Sequence, residues 1–384
     1  MTSGTLLIAP ANLQAQEISD NDFDIPEYVP PENHYYKGGI TKIIEEDYDD
    51  DPFVPVIERF SQTVEVKVLT GPRKDELMEL LYVPGSTGDA AQNLKIGETI
   101  ILVQSQQLDQ EVYYIADRYR MNTIIWLVIG FFALVIVFAG WKGARSMLGL
   151  LFTIGVILFY ILPSIIKGGN PFTIFLIGGL VIALVSIYLG HGFNRRTSIA
   201  VLGTLITLIL SIGISILVVK WTKLFGLGTE EAFYIQIGDL ANINLQGLLL
   251  GGIIIGILGV LDDITTAQAA AVEEIYKANT SFNAYELAKR GLSVGHEHIV
   301  SLVNTLVLAY VGASFPLLLL FTQSYTPVWV LLNSERIMEE IVRTLIGSSA
   351  LVIAVPITTY LAAYYFTRFG VKDSTNPLDH SHKH

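Results

Sequence analysis

The chain contains no cysteine in its 384 residues. Structural disulfides and thiolate metal sites are therefore excluded. Charged residues are also scarce, at 16% of the chain, whereas 51% of the residues are hydrophobic. A chain this poor in charge is too apolar to be one ordinary soluble domain, and its mean hydropathy of +0.50 predicts an integral membrane protein.

Basic charge is the scarcer of the two signs, and the net charge is −12. Most of the excess lies in residues 17–59, where thirteen Asp and Glu side chains face Lys37, Lys42 and Arg59. The chain offers no basic patch, so nucleic acid is excluded as a partner. The acidic, proline-bearing segment 17–59 predicts disorder. Residues 1–16 resemble a secretory signal or truncated anchor with a short apolar core and no basic residues before it.

Residues 60–117 alternate polar and apolar side chains with a period of two, which is typical of strands. Predicted strands cover 62–69, 76–83, 94–103 and 111–116, and the glycine and proline residues between them belong to turns. We interpret this region as a small all-β domain of four or five strands, an OB-like or SH3-like barrel. A spacer or interaction domain is its simplest role, with a protein or envelope partner, because it holds no polar constellation that demands a ligand.

Long apolar runs follow, and residues 122–366 predict a helical membrane domain of about seven spans. Each run approaches the roughly 20 residues needed to cross the hydrocarbon core, except the fifth, which must extend past Asp262 to do so. The predicted spans are 122–140, 147–163, 171–190, 198–220, 247–261, 298–321 and 342–366. Residues 335–343 predict a separate amphipathic helix on the membrane surface, with Glu339 four residues before Arg343.

Basic residues in the short loops predict the orientation, because cytoplasmic loops carry an excess of Lys and Arg. Nine such residues fall on one predicted side and five on the other. The nine are Lys142, Arg145, Arg195, Arg196, Lys277, Lys289, Arg290, Arg368 and Lys372, and the five are Lys167, Lys220, Lys223, Arg336 and Arg343. The β domain is therefore expected outside the cytoplasmic membrane, with residues 367–384 as a cytoplasmic tail.

Five motifs in the second half of the chain carry a family resemblance. They are GILGVLDDITTAQ (256–268), EE (273–274), GHEHIVSLVNTLVLAY (295–310), EEIVRTLIGSS (339–349) and VPIT (355–358). In this order they resemble the YibE/F-like family of multi-pass bacterial membrane proteins, with a likeness from about residue 60 to 366. The resemblance implies an extracytoplasmic β-rich domain followed by a membrane domain, and it gives no settled activity. Positions that match the family motif are Asp262, Asp263, Gln268, Glu274, Gly295, His298, Asn304 and Thr305.

Polar residues in or beside these spans predict a site, because carboxylates and imidazoles are costly in lipid. On a helix, Asp262 and Glu273 share one face, and Asp263 and Glu274 the adjacent one. One interpretation is that the aspartates bind a cation or carry a proton, with His298 and Asn304 approaching from the next span. The other is structural, with Asp263 as the N-cap of the following helix. The candidates are Asp262, Asp263, Gln268, Glu273, Glu274, His298, Asn304 and Thr305.

No enzyme motif is complete in the chain. His296 and Glu297 would need a histidine at position 300 for a zincin, and that residue is Val300. A metal held by His296, His298 and the aspartates stays open, and no cofactor is implied beyond a bound cation. The leading hypothesis is a secondary transporter or ion-translocating protein with a polar site near the cytoplasmic face. The alternatives are a membrane scaffold or signalling module whose β domain binds a partner, and a membrane-embedded hydrolase.

Overall fold

A computed structural model describes residues 33–48, 60–83, 93–107, 110–238, 240–322 and 326–369. The predicted signal at 1–16, much of the acidic segment and residues 370–384 lie outside these ranges. The chain divides into two compact units, Met1–Val128 and Ile129–His384, each of which is described by itself.

The first unit holds one five-stranded antiparallel sheet. Its strands are β1 (His34–Tyr48), β2 (Phe60–Val68), β3 (Leu77–Tyr82), β4 (Thr99–Gln107) and β5 (Gln110–Arg118), in the spatial order β3-β2-β1-β4-β5. The sheet curls into a half-barrel, and the turn after β2 reaches β5, since Arg73 forms an ion pair of 3.0 Å with Glu111. A small all-β unit is therefore present.

The central strand β1 lies inside the segment predicted to be disordered, so that prediction is wrong for residues 34–48. Nine residues of β1 pair with β2, and six pair with β4. Ile40 is buried with Val64, Val66, Ile100 and Leu102 in the core of the sheet, while the acidic residues of β1 are mostly exposed. An apolar inner face is enough to fix a strand in a sheet, whatever the charge on its outer face.

Gly71 makes the turn after β2 possible. Its φ of +98° lies in the region that side chains rarely adopt, and a Cβ at this position would stand 2.2 Å from the ring of Tyr36. The turn is therefore packed directly against β1.

The second unit is helical. Its helices are α1 (Met121–Val156, which begins in the first unit), α2 (Leu162–Ile166), α3 (Pro171–His191), α4 (Arg195–Trp221), α5 (Glu230–Ile237), α6 (Leu245–Ala278), α7 (Ala284–Ala313), α8 (Phe315–Thr322), α9 (Val328–Leu332) and α10 (Glu335–Phe369). A π-helical turn, Ile157–Ile161, joins α1 to α2. Within the ranges described, six helices are long and apolar enough to cross a membrane.

The first of these six, Met121–Ile166, covers both of the first two predicted spans, so the structure has six candidate crossings where about seven spans were predicted. Gly140 breaks α1, with φ 57° and ψ −142°. A Cβ on Gly143 would stand 2.7 Å from the carbonyl oxygen of Val135, eight residues earlier. A straight helix separates such residues by roughly 12 Å, so the chain bends sharply here.

Asparagine side chains begin four of the long helices. Each accepts a hydrogen bond from a backbone N–H three residues later, which satisfies one donor of the first turn. The caps are Asn170 for α3 (3.3 Å to Thr173 N), Asn194 for α4 (2.8 Å to Thr197 N), Asn244 for α6 (2.9 Å to Gly247 N) and Asn283 for α7 (2.9 Å to Glu286 N).

α6 and α10 form the centre of the bundle. α10 packs against α4, α6 and α7, while α6 also contacts α3, α4 and α7. Their shared core includes fully buried Leu208, Leu261 and Val355. These two helices therefore position the polar groups described below.

Residues 335–343 are helical as predicted, but the prediction of a separate helix is wrong, because they form the first turns of the continuous helix α10. Glu339 is 3% exposed and accepts a hydrogen bond from the backbone N–H of Gly228 (3.0 Å). Glu335 accepts from three successive amides of the same loop, those of Phe225, Gly226 and Leu227 (2.6, 2.9 and 3.2 Å). Two carboxylates of α10 thus hold the loop that follows α4.

Candidate functional site

The acidic pair lies in the middle of α6. Because this helix runs unbroken over Leu245–Ala278 and its cap is Asn244, the structural interpretation of Asp263 as an N-cap is wrong. Asp262 lies near the midpoint of the helix and is half-buried, whereas Asp263 is exposed. Neighbouring residues on a helix point about 100° apart, so the two carboxylates meet different surroundings.

Asp262 lines a cavity of about 330 Å³ between α1, α3, α4 and α6. Its Oδ1 atom is buried and has no hydrogen-bond partner among the residues described. Burying a charged oxygen without a partner is costly, so the position calls for a proton, a cation or water at this atom. The lining residues are Ser146, Met147, Leu150, Thr153, Ile182, Ala183, Ser186, Ile187, Gly190, His191, Thr204, Ile255, Leu258, Gly259 and Asp262.

Some of the hydroxyl groups that line this cavity already form hydrogen bonds within or between the helices. Thr153 Oγ1 donates to the carbonyl of Gly149 (3.0 Å). Thr204 and Thr265 lie 2.8 Å apart, and Thr265 donates to the carbonyl of Leu261 (2.8 Å), so Thr204 is the donor of the pair. The oxygen of Thr204 keeps its acceptor capacity toward the cavity.

His191, the last residue of α3, was missed as a site residue. It lines the cavity of Asp262 and also a second cavity of about 240 Å³, which includes Arg196, Thr197 and Thr266. One imidazole therefore borders both spaces. The available signal was a histidine directly after a predicted span and ahead of Arg195 and Arg196.

Gln268 of α6 forms hydrogen bonds with both α7 and α10 where the three helices meet. It is fully buried, and its Nε2 donates to the carbonyl of Gly291 (2.8 Å) and to Thr359 Oγ1 (2.7 Å). The amide orientation follows from chemistry, because a carbonyl only accepts and Thr359 gives its own hydrogen to the carbonyl of Val355. Gln268 therefore joins three helices and lines neither cavity.

Glu273 and Glu274 belong to a network of ion pairs at the end of α6. Glu273 pairs with Arg196 of α4 and with Lys277, each at 3.4 Å, and Glu274 pairs with Lys277 at 2.9 Å. The two carboxylates are therefore already neutralised by basic side chains, which makes them poor candidates for a substrate site.

The candidates on α7 do not join Asp262. His298 is half-buried, and its Nδ1 has no partner in the described part of the chain. Asn304 and Thr305 are exposed, and Thr305 donates to the carbonyl of Ser301 (3.0 Å). No residue of α7 lines the Asp262 cavity. The predicted grouping of Asp262 with His298 and Asn304 is therefore not found there.

His296 and His298 do not form a metal site with the other residues that the structure describes. His296 is exposed and lines a surface cavity with Lys289 and Tyr360. Over the ranges described, no three His, Cys, Asp or Glu side chains come together in a way that could hold a metal ion.

A family model described as YibE/F-like protein matches residues 127–368, which is more than half of the chain. Comparisons with curated proteins and with solved structures found no match. Together with the six long apolar helices, the family match supports a multi-pass membrane protein. The resemblance predicted from the motifs around Asp262 is thus confirmed, and the chain belongs to the YibE/F-like protein family.

Proposed function

We propose that this protein translocates protons across the membrane, and that Asp262 binds and releases the proton. The observation that carries the proposal is the half-buried carboxylate near the midpoint of α6, whose Oδ1 lacks a partner in the described structure and whose side chain lines a cavity. Ionisable residues inside membrane helices commonly belong to proton or ion pathways.

His191 supports the proposal because it extends the polar path beyond Asp262. Imidazole exchanges protons near neutral pH, and this one borders the cavity of Asp262 on one side and the cavity of Arg196 on the other. His191 is therefore the candidate acceptor, at the boundary between the two spaces, for a proton released by Asp262.

The test uses the purified full chain in liposomes that contain a pH-sensitive dye. A potassium diffusion potential set by valinomycin drives proton entry, which the dye reports. We expect Asp262→Asn to lower the proton flux by roughly a hundredfold, because an amide cannot take up and release the proton.

Glu231→Gln is the control, since it makes the same acid-to-amide change at an exposed position of α5 that lines neither cavity. Its flux is expected to stay at the native level. Equal flux in the native chain and in folded Asp262→Asn, judged by its elution in size-exclusion chromatography, would refute the proposal.

A further inference from the structure

The cavity beside Asp262 is lined mainly by apolar side chains and has few charged groups. Most of the lining is apolar, and Met147, Leu150, Ile182 and Leu258 are examples. Among the described residues that line it, Asp262 is the one carboxylate and His191 is the one basic side chain. The cavity therefore combines a single negative site with a broad apolar surface.

These walls do not suit a divalent metal ion or a lone proton as the only occupant. Calcium and magnesium take six or more oxygen ligands, while this cavity offers one carboxylate and hydroxyls that are partly committed to helix carbonyls or to one another. A proton needs no apolar space. At about 330 Å³ the cavity falls at the lower end of the roughly 300–1,000 Å³ range of small-molecule sites.

An anion is disfavoured for a different reason. An anionic group would approach the carboxylate of Asp262, and like charges repel strongly where mainly apolar walls do little to screen them. The occupant that fits carries a positive head to meet Asp262 and an apolar body to cover the surfaces of α1, α3 and α6.

We propose that this cavity binds a small organic ammonium ion, whose N–H groups donate to the Asp262 carboxylate and whose apolar body lies against α1 and α3. The inference rests on the proposed proton translocation for its coupling. When the ammonium ion binds to the protonated site, the O–H bond of Asp262 breaks and one proton leaves to solvent. When the ammonium ion departs, the carboxylate takes up one proton again.

Isothermal titration calorimetry on the detergent-solubilised full chain tests the charge requirement. The probes are 2-phenylethylamine, cyclohexylamine and hexylamine, which are protonated at pH 7, and 2-phenylethanol is the neutral counterpart of the first. We expect at least one amine to bind and the alcohol to bind about tenfold or more weakly than its amine. Asp262→Asn should weaken amine binding by a similar factor, whereas Glu231→Gln, at an exposed position of α5, should not.

A second pair of variants tests the location without changing charge. Gly259 lines the cavity, and a Cβ there would meet no atom within 4 Å, so Gly259→Val projects into open space at the site. Gly252 lies seven residues earlier on the same face of α6, has equally open surroundings and lines no part of this cavity. We expect Gly259→Val to weaken amine binding and Gly252→Val to leave it unchanged.

Three outcomes would overturn the ligand assignment: none of the amines binds the native chain, amine and alcohol bind equally, or Gly259→Val and Gly252→Val behave alike. The liposome flux is measured without amine, so the two proposals fail separately. Flux that depends on Asp262 without amine binding removes the ligand assignment alone. Amine binding without any proton flux supports the site and removes proton translocation.

Discussion

Asp262 and Asp263 are adjacent in α6, yet their carboxylates have different surroundings. Asp262 lines a cavity and keeps an unpartnered, buried oxygen, whereas Asp263 is exposed. The pair could be recognised as a candidate from sequence, because acids beside an apolar run are costly in lipid. The choice between them could not, since it depends on which helices pack on each side of α6.

The buried side chain of Gln268 allows a test of the three-helix junction. Gln268→Leu removes two hydrogen bonds and leaves Thr359 Oγ1 without its donor in a buried three-helix junction. We expect the free energy of unfolding to fall by about 1–3 kcal/mol. Thermal unfolding of the detergent-solubilised protein measures the change.

Gln236→Leu is the control for this prediction, because it makes the same replacement at an exposed position of α5. It should change the unfolding temperature little. If both variants unfold at the native temperature, Gln268 does not tie the three helices together.

Glycines determine how closely the long helices approach one another. A Cβ on Gly251 of α6 would stand 1.9 Å from the ring of Phe175 on α3, whereas a Cβ on its neighbour Gly252 would meet nothing within 4 Å. We expect Gly251→Ala to destabilise the protein by about 1–3 kcal/mol, because the ring must move. Thermal unfolding measures the difference.

Gly252→Ala should be neutral or slightly stabilising, by up to about 1 kcal/mol, because alanine favours a helix over glycine. The pair therefore has opposite expected signs at adjacent positions of one helix. A Gly251→Ala variant as stable as Gly252→Ala would contradict the close packing of α6 against α3.

The periodicity of apolar residues predicted some of the observed strands and helices and missed others. The four strands predicted within 60–117 each overlap an observed strand, β2 to β5, because one face of each is apolar. β1 was missed because ten of the thirteen acidic residues of segment 17–59 lie outside it and set the composition of the segment, while its own apolar face is short. The predicted span 298–321 is divided at Ser314, where Pro316 cannot donate a backbone hydrogen bond to the preceding turn.

The orientation of the chain in the membrane and the number of times it crosses are still predictions. The expected arrangement has the β unit outside, with the α6–α7 loop and the C-terminus in the cytoplasm. It requires Met121–Ile166 to cross the membrane twice, and the sharp bend at Gly140 is where the chain would reverse. Partner binding through residues 60–117 also stays a prediction.

Single cysteines can test this arrangement cleanly, because the native chain has none. Lys95→Cys in the β unit and Ser281→Cys between α6 and α7 are both exposed positions. We expect a membrane-impermeant maleimide to label the first in intact cells and the second only after permeabilisation. Labelling of both from the same side would mean that Met121–Ile166 crosses once.

The contact between the loop after α4 and the start of α10 has a consequence for synthesis. Glu335 accepts from Phe225, which precedes it by 110 residues. At about 5–20 residues per second, a ribosome needs on the order of 5–20 s to make the intervening chain. Until then the amides of Phe225, Gly226 and Leu227 lack their native acceptor, and α4 and α6 lack the helix that packs against both. The helical bundle can therefore reach its native packing only after α10 has been synthesised.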